Sequence, residues 1–295
     1  MDSTVLLHLL RQARSLSGAA LTLRAVHVDH GLQPAAVDFR RFCQRTARLW
    51  HVPLAVARVK VRIDKGASLE EAARDARRAA LTSALKPGEL LVMAQHADDQ
   101  LESVLLALLR GAGPAGLAGM PAVMPVGDAL QLRPLLGVER AVIEAYARAQ
   151  GLAWIDDPTN ADARFDRNYL RKAVLPGLRK RWPAAARTVA RSARHCAAAQ
   201  VALEAAAAAD LEAAADGAAL DIAVLRRFSG ARRAAVLRAW IARAGFRAPN
   251  ERHLHEIEVM LAARRDAHPL LSLPGFKVRR RGNLLAIEKR SVERT

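Results

Sequence analysis

The stretch ELLVMAQHADDQLESVLLALLRG, residues 89–111, constrains the fold more than any other part of the chain. An apolar run of strand length passes, with no Gly or Pro between, into a segment whose apolar positions recur at helical spacing. A strand that feeds directly into a helix is half of a βαβ unit, and residues 1–190 repeat the same alternation. Thr4 to Arg14 reads as a helix, LTLRAVHVDH as a strand, Asp38 to Trp50 as a helix and LAVARVKV as a strand. SLEEAARDARRAALTSAL reads as a third helix, opened by a capping box between Ser68 and Glu71. The expectation is an α/β fold around a Rossmann-like parallel sheet, with its ligand crevice at the carboxyl ends of the strands.

After a Gly-rich loop, GAGPAGLAG, the segment RPLLGVERAVIEAYARAQG reads as a helix with a glycine stop. Residues 191–219 are Ala-rich and are expected to form a helical linker. Residues 220–295 read as a small α+β domain closed by the hairpin FKVRRRGNLLAIEK, whose turn is Gly282-Asn283.

Charge divides along the same line. The chain carries 46 Lys and Arg against 29 Asp and Glu, a formal net charge of +17. Residues 1–159 contribute +3 of this and residues 160–295 contribute +14. So basic a second half points to a polyanion, and nucleic acid is the polyanion whose binding such charge drives. No apolar run approaches the roughly 18 residues of a membrane span, so no membrane partner is expected. Two distant cysteines, Cys43 and Cys196, offer neither a disulfide framework nor a CxxC site, which fits a cytoplasmic protein.

Three stretches carry the candidate chemistry. Asp98, Asp99 and Glu102 stand three and four apart, so on a helix they can converge on one face, with both aspartates near the positive end of the helix dipole. Such carboxylates also serve as plain helix caps. At the carboxyl end of a parallel strand, with His96 at the junction, they form a cage for a cation, either Mg²⁺ or an ammonium group. In DDPTNADARFDRNYLRKAVLP, Arg164, Arg167 and Arg171 flank Asn168 at a spacing that suits phosphate or carboxylate recognition. At the start of the chain, Asp2, Ser3 and Thr4 precede an apolar helix, where free backbone N–H groups can hold phosphate.

Taken together these stretches resemble the PP-loop ATP pyrophosphatase superfamily and, within it, the tRNA(Ile)-lysidine synthase family. That family's loop reads SGG, an apolar residue, then DS, and MDSTVLLHLL matches from the apolar residue onward. A strand and the Ser-Gly-Gly are therefore expected upstream, with Met1 an internal methionine. HVDHGL, EEAARDARRAAL, AQHADDQLESVLLALLRGAGPAGLAGM, RPLLGVER and WIDDPTNADARFDRNYLRKAVLP follow in the family's order, and the likeness runs through ARRAAVLRAWI to the closing hairpin. Asp29 stands where the family often has Asn or His, and Arg78 where an aromatic is common.

The resemblance implies an adenine nucleotide alpha hydrolase-like fold. It also implies ATP-dependent ligation of L-lysine to C2 of the wobble cytidine of a tRNA(Ile) with a CAU anticodon. ATP and Mg²⁺ would be the cofactors. Asp98, Asp99 and Glu102 become the catalytic candidates, with the choice of base among them open. Asp2, Ser3, Thr4, His27, His96 and Arg110 become the nucleotide-binding candidates, and Asp2 and Asp98 the metal ligands. Arg74, Arg164, Arg167, Asn168, Arg171, Arg279 and Arg280 become the substrate and tRNA contacts. Two competing readings are a related PP-loop tRNA thiolase, against which the isolated cysteines argue, and a tRNA-binding remnant without catalysis.

Overall fold

The computed structural model describes residues 1–18, 21–31, 35–61, 69–156, 162, 164–246, 249–264 and 267–289. They form two compact units, Met1–Ala197 and Ala198–Thr295.

In the first unit, helix α1 (Asp2–Ser17) ends at Gly18, whose φ of 60° is the left-handed stop that glycine takes without steric cost. Strand β1 (Ala25–Asp29) pairs in parallel with β2 (Leu54–Arg58), the two joined through α2 (Ala36–Leu49). Helix α3 (Leu69–Ser83) leads to β3 (Leu90–Val92), which runs into α4 (Ala97–Leu109) as the sequence pattern requires. Ser68 and the side chain of Glu71 lie outside the described residues, so the expected capping box is not among them.

Beyond a short α5 (Pro114–Leu117) the chain makes a hairpin of β4 (Val123–Val126) and β5 (Ala129–Leu132). β5 then pairs in parallel with β3. This hairpin was not anticipated, although Gly127-Asp128 between two short apolar runs is a two-residue turn signal. Pro125 is tolerated there because β4 lies at the edge of its sheet. The parallel pairings therefore form two ladders among the described residues, β1 with β2 and β3 with β5.

Helix α6 (Arg140–Ala149) packs Ile143 and Ala147 against Val5 and Leu6 of α1. A segment of short turns follows: α7 (Asp166–Tyr169), a π turn (Leu170–Val174) and α8 (Leu175–Arg181). Leu175 packs with Leu101 of α4 and with Ala185 and Ala186, which open α9 (Ala185–Ala214). The Ala-rich stretch is thus helical, but its helix starts before residue 191. It ends at Ala214, where the chain turns through Gly217 into paired strands.

The second unit holds a five-stranded antiparallel sheet of order β6-β7-β10-β9-β8. Its strands are β6 (Ala215–Asp216), β7 (Ala219–Asp221), β8 (Leu270–Leu273), β9 (Phe276–Arg281) and β10 (Leu284–Lys289). Helices α10 (Ile222–Leu225), α11 (Gly230–Arg243) and α12 (Glu251–Ala262) complete it. Val236, Leu237 and Ile241 of α11, Ile257 of α12, and Val278 and Leu285 of the hairpin make one fully buried core.

The hairpin corrects one expectation. Alternation places Arg280 on the same face as Phe276 and Val278, and the residue is only 3% exposed. Its guanidinium donates to the carbonyls of Met260, Leu261 and Ala263 at 3.0, 3.2 and 2.5 Å, and to that of Gly282 at 3.0 Å. Arg280 is therefore the cationic cap of the α12 carboxyl terminus, satisfying carbonyls the helix leaves open, and it is not presented to a nucleic acid. Arg279 and Arg281 face the other way and share Glu288 at 2.8 and 2.7 Å.

Replacing Arg280 removes four hydrogen bonds and leaves the Ala263 carbonyl without this donor, while Met260 keeps the Ala263 N–H and Leu261 keeps Arg226, so Arg280→Ala should destabilise the second unit by about 3 kcal/mol. Urea denaturation checks this, and an Arg279→Ala control should change stability by about 0.5 kcal/mol or less.

Candidate active site

Two helix amino termini meet in the first unit. His96, 1% exposed, caps α4, and its backbone N–H donates to Asp99 Oδ2 at 3.1 Å. The His96 Nε2 lies 3.5 Å from Asp99 Oδ2 and 3.9 Å from Asp2 Oδ2 at the start of α1. Asp2 Oδ1 is buried and makes no hydrogen bond, and neither does His96 Nδ1. Ser3 and Thr4 occupy the same first turn of α1, Ser3 exposed and Thr4 half-buried.

The three α4 carboxylates do not share one partner. Asp98 Oδ2 accepts the Arg140 backbone N–H at 2.6 Å, and Oδ1 pairs with the Arg179 guanidinium. Asp98 thereby staples α4 to the first turn of α6 and to α8. It sits 3.7 Å from His96 Nδ1, so Asp2 and Asp98 flank opposite nitrogens of one imidazole. The expected shared role of Asp2 and Asp98 as metal ligands does not fit that arrangement, since a ring stands between them and both Asp98 oxygens are engaged. Among the described residues no cluster of three or more His, Cys, Asp or Glu side chains could hold a metal.

Asp99 and Glu102 do converge, on Arg171. The Arg171 Nε donates to Glu102 Oε1 at 2.5 Å, and Nη2 donates to Glu102 Oε2 and Asp99 Oδ1, both at 2.9 Å. This is the bidentate fork that makes Arg–carboxylate pairs strong. Glu102 is 1% exposed, and burial pushes its carboxyl above the usual range, with Arg171 pulling it back and Asp99 adding to the rise. Burial works against the charge on Arg171, and Glu102, Asp99 and Asp2 outweigh it.

One turn earlier Arg167 donates to Ser103 Oγ at 2.8 Å, and the buried Asn168 amide donates to the Asp162 carbonyl at 2.9 Å. Arg167 and Arg171 are therefore laid along α4, whereas Arg164 stays exposed on Asp162 at 2.7 Å. Arg110 caps the far end of α4, exposed and paired with Asp166 at 3.2 Å. A 13-residue helix puts it about 20 Å from His96, so the structure does not bring it to the nucleotide candidates. Arg74 lies on the exposed side of α3.

His27 turns toward α2, its Nδ1 3.6 Å from Cys43 Sγ, and burial lowers its basicity. Near the carboxyl ends of β1 and β2 a cavity of about 710 Å³ is rimmed by Asp29, His30, Arg40, Arg58 and Lys60.

Arg179, Ser103 and Gln100 were not anticipated. The Gln100 amide accepts from the Met120 N–H at 2.8 Å and donates to the Met120 carbonyl at 3.1 Å, pinning the Gly-rich loop to α4. Gly119 must be glycine, with φ +65° and no room for a Cβ, which would meet the Gln100 amide at 2.8 Å.

A family model described as the PP-loop domain matches residues 1–178, which holds the whole of this site. The chain belongs to the PP-loop family. A second family model, described as the TilS substrate binding domain, matches residues 220–285. The tRNA(Ile)-lysidine synthase of Pseudomonas aeruginosa is 45% identical over 291 residues, covering 95% of this chain and 65% of the relative. That of Edwardsiella ictaluri is 46% identical over 283 residues, covering 95% and 64%. The chain thus spans a little under two thirds of the length of these curated relatives. The fold is also similar to that of the U34-tRNA thiolase NcsA from Methanococcus maripaludis, with a TM-score of 0.56 at 15% identity, covering 66% of this chain and 68% of that one. No helix among the described residues is long and apolar enough to cross a membrane.

Because Asp98 acts as a staple, Asp98→Ala should lower the stability of the first unit by about 2 kcal/mol. Urea unfolding measures this, and a loss under about 0.5 kcal/mol would remove Asp98 from that role.

Proposed function

We propose that the chain carries the catalytic and tRNA-contacting parts of a tRNA(Ile)-lysidine synthase. ATP would adenylate the C2 carbonyl oxygen of the wobble cytidine in a CAU anticodon, releasing pyrophosphate. The amine of L-lysine would then form the C2–N bond as the bond from C2 to the adenylate oxygen breaks and AMP leaves. The observation that carries this reading is the Asp99–Glu102 pair, with Glu102 buried and Asp99 half-buried, engaged with a cation and set beside the amino terminus of α1. Relatives of 45% identity that bear this name support it.

An ammonium group has no lone pair, so the amine must lose a proton before it attacks. Glu102 is the stronger candidate for base, since burial raises its basicity, while Asp99 is better suited to hold the cation. Asp2 is the residue whose unengaged buried oxygen fits Mg²⁺, an ion that takes one or two carboxylates together with substrate phosphates. When bound, Mg²⁺ would neutralise the departing pyrophosphate. The free N–H groups at the start of α1, with Ser3 and Thr4, would hold the phosphates. His96 would keep Asp2 and Asp99 in register. Cys43 and Cys196 stand far apart in the sequence and form no cysteine pair of the kind sulfur transfer uses, which favours ligation over thiolation.

The test is incorporation of labelled lysine into a CAU-anticodon transcript in the presence of ATP. Glu102→Gln should reduce turnover by about 10²-fold or more while tRNA retention on a filter is preserved; undiminished turnover would overturn the assignment. Arg279 and Arg281 form the outward basic face of the hairpin. Reversing both charges should weaken tRNA binding and flatten the slope of log K against log salt by about one to two. An unchanged slope would take the hairpin out of the RNA interface.

A further inference from the structure

The Asp99–Glu102 pair is occupied by the protein itself. Three charge-assisted hydrogen bonds fasten the Arg171 guanidinium to it. The two sides of the contact differ in access: the Glu102 side chain is 1% exposed and that of Asp99 15%, against 29% for Arg171. The anions are thus fixed on a regular helix, and the cation reaches them from the open side.

Arg171 also stands on unusual backbone. The Leu175 N–H bonds the Leu170 carbonyl five residues back, and π turns of this kind are rare and concentrate at functional sites. The polar cluster beside the pair is incomplete, since the buried Asp2 Oδ1, on the side of the His96 ring that faces Asp99, lacks a hydrogen bond. A purely structural ion cluster would be closed, because buried polar groups in native structures are almost always satisfied. An ammonium brings three donors in a tetrahedral arrangement, against the planar fork of a guanidinium, and can serve the Asp2 acceptor that Arg171 leaves unmet.

We propose that Arg171 is the resident occupant of the subsite that takes the ammonium group of the amino-acid substrate, and that substrate binding exchanges the one cation for the other. This rests on the lysine reading above. The arrangement keeps Glu102 neutralised before substrate arrives and makes the free enzyme compete with its own ligand. Apparent affinity is then the intrinsic affinity multiplied by the fraction of molecules in which Arg171 is unseated.

Equilibrium dialysis of labelled L-lysine against the full chain tests the exchange, with methylguanidinium as the probe for the vacated guanidinium position. If Arg171 is seated in nine molecules of ten, Arg171→Ala should bind lysine about tenfold more tightly than the parent chain. Methylguanidinium should displace lysine competitively from the variant, and Arg171→Lys should restore the parent affinity. Arg171→Gln, closer in shape, carries the same expectation should the alanine variant fail to fold, as judged by circular dichroism. A folded variant that binds lysine no more tightly than the parent, or more weakly, overturns the exchange and leaves Arg171 a fixed structural partner. Glu102→Gln separates the two levels. If it abolishes lysine binding while Arg171→Ala changes nothing, the site reading stands and the exchange fails; if lysine binding is indifferent to Glu102, both fail.

Discussion

A carboxylate buried as deeply as Glu102 must be met by a cation, and the arrangement of the first unit follows from that requirement. One face of α4 carries Asp98, Gln100 and Glu102 into the interior beside Ala97, Leu101 and Val104. The segment of short turns from α7 to α8 supplies what this face lacks: Arg167 to Ser103, Arg171 to Asp99 and Glu102, and Arg179 to Asp98. The apolar contact of Leu175 with Leu101 then holds together two surfaces whose charges are already matched. Packing and electrostatics specify the same docking, a consistency that distinguishes a defined native arrangement from a merely compact one.

The second unit solves a similar problem with a different element. A strand places alternate residues inside, so three consecutive arginines cannot all be solvated. Arg280 goes in, and the carboxyl end of α12 is the one kind of apolar-lined surface that welcomes a cation, since its last carbonyls have no helical donors. Arg279 and Arg281 remain outside, linked by Glu288 on the neighbouring strand. A basic run therefore divides into a structural residue and two surface residues according to strand phase alone.

This division was legible in the sequence, because the phase of Phe276 and Val278 already fixes that of Arg280. The βαβ order, the strand that enters α4 and the closing hairpin were legible for the same reason: each rests on a local period. The β4–β5 hairpin was overlooked because its runs are short and follow a Gly-rich loop that resembles a terminator. Spacing could bring Asp99 and Glu102 together, but it could not predict that Asp98, in the first turn, would be drawn to the backbone of α6. Nor could it foresee Arg179, whose choice of Asp98 is a tertiary matter with no local pattern. Arg110 was misplaced because a residue close in sequence to the site stands a full helix length away in space.

The contact between Asp98 and Arg140 has an evolutionary corollary. The carboxylate reads a main-chain N–H, not a side chain, so the side chain at position 140 is free to drift. One residue is barred. Proline is ordinarily welcome at the first position of a helix, where a missing N–H costs nothing. Here that hydrogen is spoken for, and a substitution that suits the helix taken by itself would leave one oxygen of a buried carboxylate without its donor.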